Sequence, residues 1–171
     1  MEETEIREGY HFWTKGKDIS FNLPLALDPI ERKRKQSYFS TAELSCKCQS
    51  KQCGEQRVSV ELVNAMISLR EAYDEPLKVS SGLRCLADHK RIYAQKGITD
   101  ESKIPMQSQH LVTNGRAVDF SDKDGKLKEW AKNNTELLEA LNIYCEHWTA
   151  TENWWHIQCW KPKSGNHWFK P

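Results

Sequence analysis

The stretch that most constrains this chain is SVELVNAMISLREAYD, from Ser59 to about Asp74. Leu62, Met66, Leu69 and Tyr73 recur at spacings of four, three and four, the period of one helix face, and Val63 and Ile67 widen the stripe. Ser59 opens it as an N-cap, Glu61 falls in the first turn near the positive end of the dipole, and Pro76 stops it. A helix with so broad an apolar face must bury it against a second layer. The chain supplies that layer in short strand-like pieces: LKVSSGLR (77–84), RAVDF (116–120) closed by a DKDG turn, and the late pair NIYCEHW and NWWHIQCW joined by a TATE loop. The tail KSGNHWFKP reads as a turn and an extended end. Further helical patterns cover a short AEL piece capped by Ser40 or Thr41, about 86–96 ending at Gly97, and about 126–141. In the last of these, Leu127, Trp130, Leu137, Leu138 and Leu141 face inward. Helices first and strands late define an α+β class.

The 171 residues suit one domain with a sizeable core. Residues 1–37 carry no long periodic signal and read as an arm with short strands or turns laid on a body that spans 38–171. The run ERKRK, Glu31 to Lys35, reads as a solvated loop. A net charge of +1 gives no case for nucleic acid or an anionic membrane as partner. No apolar run approaches the ~20 residues a membrane span needs. The beginning, MEETEIREGYHFW, is acidic and lacks the apolar stretch of a secretory signal. A soluble monomer made in the cytoplasm is expected.

Six cysteines in a chain without an export signal are free thiols by default. Cys46, Cys48 and Cys53 cluster in CKCQSKQC, but no second knuckle of the zinc-ribbon kind follows. Cys85 is the candidate fourth ligand if a structural metal site forms. Cys145 and Cys159 lie on two strand-like runs that can pair, as a buried thiol couple or a disulfide.

The chemistry-bearing residues are His110 and Asp119 in SQHLVTNGRAVDF and, far downstream, His156 in ENWWHIQC. Two imidazoles and one carboxylate make a three-ligand site with an open position, the arrangement of a catalytic zinc, which acidifies water and polarises a carbonyl. Gly115 lets the backbone turn back, and Ala117 lets the strand pass close to the metal. On residue types alone a structural role for either histidine is equally open, and nothing in the sequence sets the distance between His110 and His156.

These motifs resemble a known family. SQHLVTNGRAVDF resembles the S-x-H-x-x-G-x-A-x-D signature of the zinc D-alanyl-D-alanine carboxypeptidase family, which includes vancomycin-resistance dipeptidases, murein endopeptidases and phage endolysins. FSTAELSCKC, VSSGLRC and NWWHIQC resemble three further family stretches in the same order, so the likeness covers about residues 38–171. It implies the hedgehog/DD-peptidase fold, a small antiparallel sheet with helices on one face, and zinc held by His110, Asp119 and His156. It implies Arg84 near the reacting carbonyl, where a guanidinium stabilises an oxyanion. Ser108 and Gln109, before the first ligand, and Asn153 and Trp155, before the second histidine, are the expected substrate-binding residues.

Two departures stand out. Four residues, LVTN, separate His110 from Gly115 where the signature has two, so Asp119 is either displaced or the loop bulges. Several members also carry an acid three residues before the second histidine; here that position is Asn153. Glu152 is the expected general base and Glu146 the second candidate. The expected activity is zinc-dependent hydrolysis of peptidoglycan stem peptides, by a phage-type endolysin or virion lysis protein that reaches the wall after release. The alternative is a non-catalytic, zinc-containing structural or wall-binding protein on the same fold.

Overall fold

The structure is a computed structural model describing residues 2–50 and 53–171; Lys51 and Gln52 of the CKCQSKQC run lie outside the described residues. Among those described, the strands form two sheets. The smaller is antiparallel and joins β1 (Glu5–Arg7), β2 (Tyr10–Thr14) and β3 (Glu55–Ser59) in that order. The larger joins β4 (Val79–Ser81), β5 (Ala117–Ser121), β6 (Tyr144–Glu146), β7 (Trp154–Gln158) and β8 (Trp168–Phe169) in the order β4-β5-β7-β6-β8, with only β6 and β8 parallel. The helices are α1 (Pro29–Gln36), α2 (Thr41–Leu44), α3 (Val60–Tyr73), α4 (Leu86–Gln95), α5 (Lys126–Asn133) and α6 (Thr135–Ala140). The α+β class is therefore as expected.

The period of two along β5 and β7 divides core from site. Val118 pairs with Ile157 and Phe120 with Trp155, all four buried in the core with Leu62, Met66 and Leu69 of α3. The alternate residues face the other way: Ala117 opposite Gln158, Asp119 opposite His156, Ser121 opposite Trp154. The helix expected over 59–74 forms as α3, with the Ser59 hydroxyl accepting from the Leu62 N–H and Asp74 closing it in the left-handed region.

Two local expectations change, and the short strands expected of the arm pair with the body. ERKRK is helical rather than a loop: Asp28 caps α1 through the Ile30 N–H, Pro29 opens it, and Arg32 and Lys35 reach Glu3 and Glu71. α1 buries no side chain, so its solvated character holds. The pattern over 126–141 is two helices, broken at Asn134, whose φ of −125° and ψ of 32° leave the helical region. Residues 5–14 enter the smaller sheet, with Tyr10 opposite Ser59 and Thr14 opposite Glu55. No helix among the described residues is long and apolar enough to cross a membrane.

Candidate metal centre

Asp119 and His156 meet as a cross-strand pair on the site face of the larger sheet. His110 arrives from the loop before β5. That loop is anchored at the end of β4, where Arg84 N–H donates to the His110 carbonyl (2.8 Å) and Val112 N–H to the Arg84 carbonyl (2.9 Å). The two extra residues of LVTN are absorbed in a turn, with Asn114 and Gly115 N–H both donating to the Leu111 carbonyl, and Asp119 is not displaced. The turn docks on β3: Ser59 N–H donates to the Gly115 carbonyl at 2.7 Å, and Arg57 holds the carbonyls of Val112 and Thr113. Gly115 has φ +59°, and a Cβ there would overlap the Arg57 carbonyl. Gly82 is equally constrained, because a Cβ would meet the Leu44 carbonyl at 2.5 Å.

The tautomers of the two imidazoles, taken as neutral rings, follow from their outer partners. His110 Nδ1 lies 2.7 Å from the Gly82 carbonyl, which only accepts, so Nδ1 carries the proton and Nε2 is a bare lone pair. Gln158 donates its amide nitrogen to the Trp160 carbonyl at 2.6 Å, which leaves its Oε1 to accept from His156 Nε2 at 3.1 Å. His156 Nδ1 is then also bare. These two lone pairs stand 3.1 Å apart, at 3.2 and 2.8 Å from Asp119 Oδ1. Three converging acceptors with no proton between them repel one another unless a cation sits among them. Ligands 2.0–2.1 Å from a tetrahedral zinc stand about 3.3 Å apart, so the spacing fits that ion, and the outer contacts are those expected of ligating histidines.

In the chain without metal, the same contacts favour a proton on His156. Burial pushes the His156 pKa down, but the Asp119 contact and the charges of Asp119 and Glu146 outweigh it and raise it. Burial would raise Asp119, yet the two histidines hold its carboxyl well below the usual carboxylate range. Arg84 completes the group. Its terminal nitrogen lies 3.5 Å from Asp119 Oδ2 and 3.0 Å from the Ser81 hydroxyl, and its buried Nε has no hydrogen-bond partner among the described residues.

The remaining expected residues fall less uniformly. Trp155 is corrected: it is fully buried against the core and Trp168 and offers no surface to a ligand, whereas Trp154 is 41% exposed on the face that carries His156. Glu152 lies off the strand. It is exposed, it precedes β7, and its bond is through its backbone carbonyl, which accepts from Lys128 Nζ at 3.0 Å. Asn153 is exposed as well, its carbonyl tied to the Asp122 N–H. Ser108 and Gln109 brace the His110 loop: the Ser108 hydroxyl accepts from His110 N–H at 3.4 Å, and the Gln109 carbonyl from Arg116 N–H at 2.9 Å.

Glu146 is where the sheet brings a carboxylate. β6 runs antiparallel to β7 with Tyr144 opposite Gln158 and Cys145 opposite Ile157, so half-buried Glu146, two residues past Tyr144, shares the site face with Gln158 and His156. Gln158, which sets the His156 tautomer, escaped the sequence reading. The signal was there, since a residue two along a strand from a ligand shares its face.

The cysteines gather elsewhere. Cys46, Cys48, Cys53 and Cys85 bring their sulfurs within 4.8 Å of one another, so Cys85 does join the CKCQSKQC cluster. Burial pushes the Cys46 thiol up to about 12; it also opposes ionisation of Cys48, but the Lys15 ammonium and neighbouring donors bring that thiol down to about 6. Cys145 and Cys159 are separate buried free thiols, so the disulfide reading falls.

A family model described as Peptidase M15 matches residues 37–157. The chain belongs to this family, whose members are zinc-dependent peptidases acting on peptidoglycan-type substrates. Neither the comparison with curated proteins nor that with solved structures finds a match.

Proposed function

We propose that this chain is a zinc metallopeptidase that hydrolyses peptide bonds in peptidoglycan stem peptides, on the hedgehog/DD-peptidase fold, as an endolysin or virion lysis protein of the phage type. In this reading residues 38–171 are the peptidase, residues 1–37 are an extension, and the protein acts as a monomer on the wall after release. The observation that carries the proposal is the convergence of the bare nitrogens of His110 and His156 on Asp119 within a family signature.

His110, Asp119 and His156 hold the ion. When bound, zinc supplies a Lewis acid that polarises the scissile carbonyl and acidifies water. Arg84, whose terminal nitrogen lies beside Asp119 and whose Nε has no partner among the described residues, donates to the oxygen of that carbonyl as negative charge develops on it. Glu146 is the general base in place of Glu152. It takes a proton from the attacking water and returns it to the leaving amine nitrogen. Trp154, two residues from His156 on the same face, offers its exposed ring as a wall for the stem peptide, in place of Trp155. Ser108 and Gln109 shape the loop beneath the substrate, and Asn153 borders it.

The test is incubation of the purified protein with murein sacculi, with and without chelator, and identification of the fragments by mass spectrometry. Chelator-sensitive release of stem-peptide fragments is expected; murein left intact by metal-loaded protein overturns the reading. One observation favours the alternative, a non-catalytic zinc protein: Asn153 stands where several relatives carry an acid. In that case Asn153→Glu confers cleavage that the natural chain lacks.

A further inference from the structure

The proposed peptidase chemistry makes no use of the four clustered cysteines. Their sulfurs lie within 4.8 Å of one another, with Cys48 and Cys85 at 3.5 Å. Four thiolates 2.3 Å from a tetrahedral ion stand about 3.8 Å apart, so the cluster has the size of a tetrathiolate site. Each sulfur also accepts an N–H from outside the cluster's centre. Cys85 N–H donates to Cys46 (3.2 Å), Lys15 Nζ to Cys48 (3.1 Å), Gln56 Nε2 to Cys53 (3.3 Å) and Asp88 N–H to Cys85 (3.4 Å). Donors on the outside leave any thiol proton pointing at the other sulfurs, where it meets only weak acceptors. They suit thiolates turned inward on a cation. A dication with four thiolates carries a net charge of about −2, which the Lys15 ammonium partly offsets.

We propose that Cys46, Cys48, Cys53 and Cys85 form a second, structural metal site that holds one thiophilic divalent ion, zinc, with no open position. Soft sulfur donors in a tetrahedral set select such an ion over calcium or magnesium. The ion clamps the segment after α2 to the segment before α4. Cys46 follows Leu44, whose carbonyl accepts from Leu83 N–H at 2.7 Å, and Cys85 follows Arg84, whose backbone carries the His110 loop. The site is therefore a positioning device for Arg84 and His110.

The proposal does not depend on the chain cleaving murein, because its test reads sulfur ligation directly. The 171-residue chain, purified under reducing conditions, is expected to contain about two zinc ions by elemental analysis. After exchange with cobalt(II), intense sulfur-to-cobalt charge-transfer absorption in the near ultraviolet is expected. It persists in His110→Ala and disappears in the Cys46→Ser/Cys85→Ser double variant, each of which keeps about one ion. If the double variant does not fold, titration of the folded wild type with an organomercurial in the presence of a chromophoric chelator decides. Release of about one ion as the four thiols react supports the site. Thiol modification without metal release, cobalt protein without sulfur-to-metal absorption, or cysteines found paired in disulfides overturns it.

Discussion

Replacing Glu146 with glutamine separates the two candidate bases. Glu146 shares the site face with Gln158 and His156 on the neighbouring strand, and its charge acts on His156, so it reaches the space in front of His156 without leaving its strand. Glu152 is four residues from His156, about 13 Å along an extended chain, and its carbonyl is fixed by Lys128. A positioned general base contributes 10²–10⁴-fold, about 2.7–5.4 kcal/mol of barrier. Glu146→Gln should lower the rate of stem-peptide release from sacculi by roughly that factor while zinc content stays at the wild-type level. Glu152→Gln should change the rate less than about twofold. A second readout does not depend on turnover. Because the Glu146 charge helps to raise His156, the pKa of His156 in the metal-free protein, followed by NMR, should fall in Glu146→Gln. Full activity in Glu146→Gln together with loss in Glu152→Gln would refute the assignment, and an unmoved His156 would refute the cross-strand geometry on which it stands.

Trp155→Ala should destabilise the fold by about 3–5 kcal/mol, read by urea unfolding, because it empties a fully buried position; Trp154→Ala should leave stability within about 0.5 kcal/mol and raise KM instead. Gly115→Ala places an L side chain at φ +59° and against the Arg57 carbonyl, so it should cost about 2–4 kcal/mol and weaken zinc binding at His110. Stability should also fall with acid through His11. Burial lowers its folded pKa to about 4 from 6.5, so the folded state holds it neutral. Protonation then favours the unfolded chain: the contribution is complete above pH 6.5, is lost as pH falls toward 4, and amounts to about 3 kcal/mol. His11→Phe, which keeps the edge contact with Phe21, should flatten that dependence in urea midpoints measured across this range.

The parts of this molecule that were legible in its sequence are those whose signal is local. α3 announced itself because its stripe, cap and stop lie within a few turns of one another. His110, Asp119 and His156 were legible as residue types in a spaced signature; Asp119 met His156 once β5 and β7 paired in register, and His110 joined them through the loop tied to Arg84. α1 was not legible as a helix. It buries nothing, and besides its cap it leans on Glu3 and Glu71, partners distant in sequence. The break at Asn134 left the apolar pattern on both sides intact, so periodicity passed over it. The change of base proposed above has the same origin. Counting back from His156 along the chain leads to Glu152, whereas the sheet brings Glu146, from another strand, to His156. Trp154 and Trp155 were bound to face opposite ways, but which faced the core depended on the pairing of Phe120 with Trp155.

The short segment Gly82–Cys85 shows why a loop as plain as SSGLRC sits between two constellations. The Gly82 carbonyl fixes the His110 tautomer, and its missing Cβ lets the chain lie against Leu44. Leu83 N–H ties to the Leu44 carbonyl, the Arg84 side chain reaches Asp119 while its backbone brackets the His110 loop, and Cys85 closes the sulfur cluster. Consecutive residues of an extended segment alternate in direction, so four of them can serve a metal centre on one side and an anchor on the other without a helix between. The consequence is mechanical. A loop that carries a catalytic ligand gains precision from packing and outer hydrogen bonds, and a ligand displaced by 1 Å can cost about 10²-fold in rate. This segment is bound at both ends to α2 and its following loop, so displacing the anchor moves Gly82 and Arg84 together. Damage at the cysteines should therefore reach the His110 and Arg84 geometry before it reaches Asp119 and His156, which the pairing of β5 with β7 holds independently.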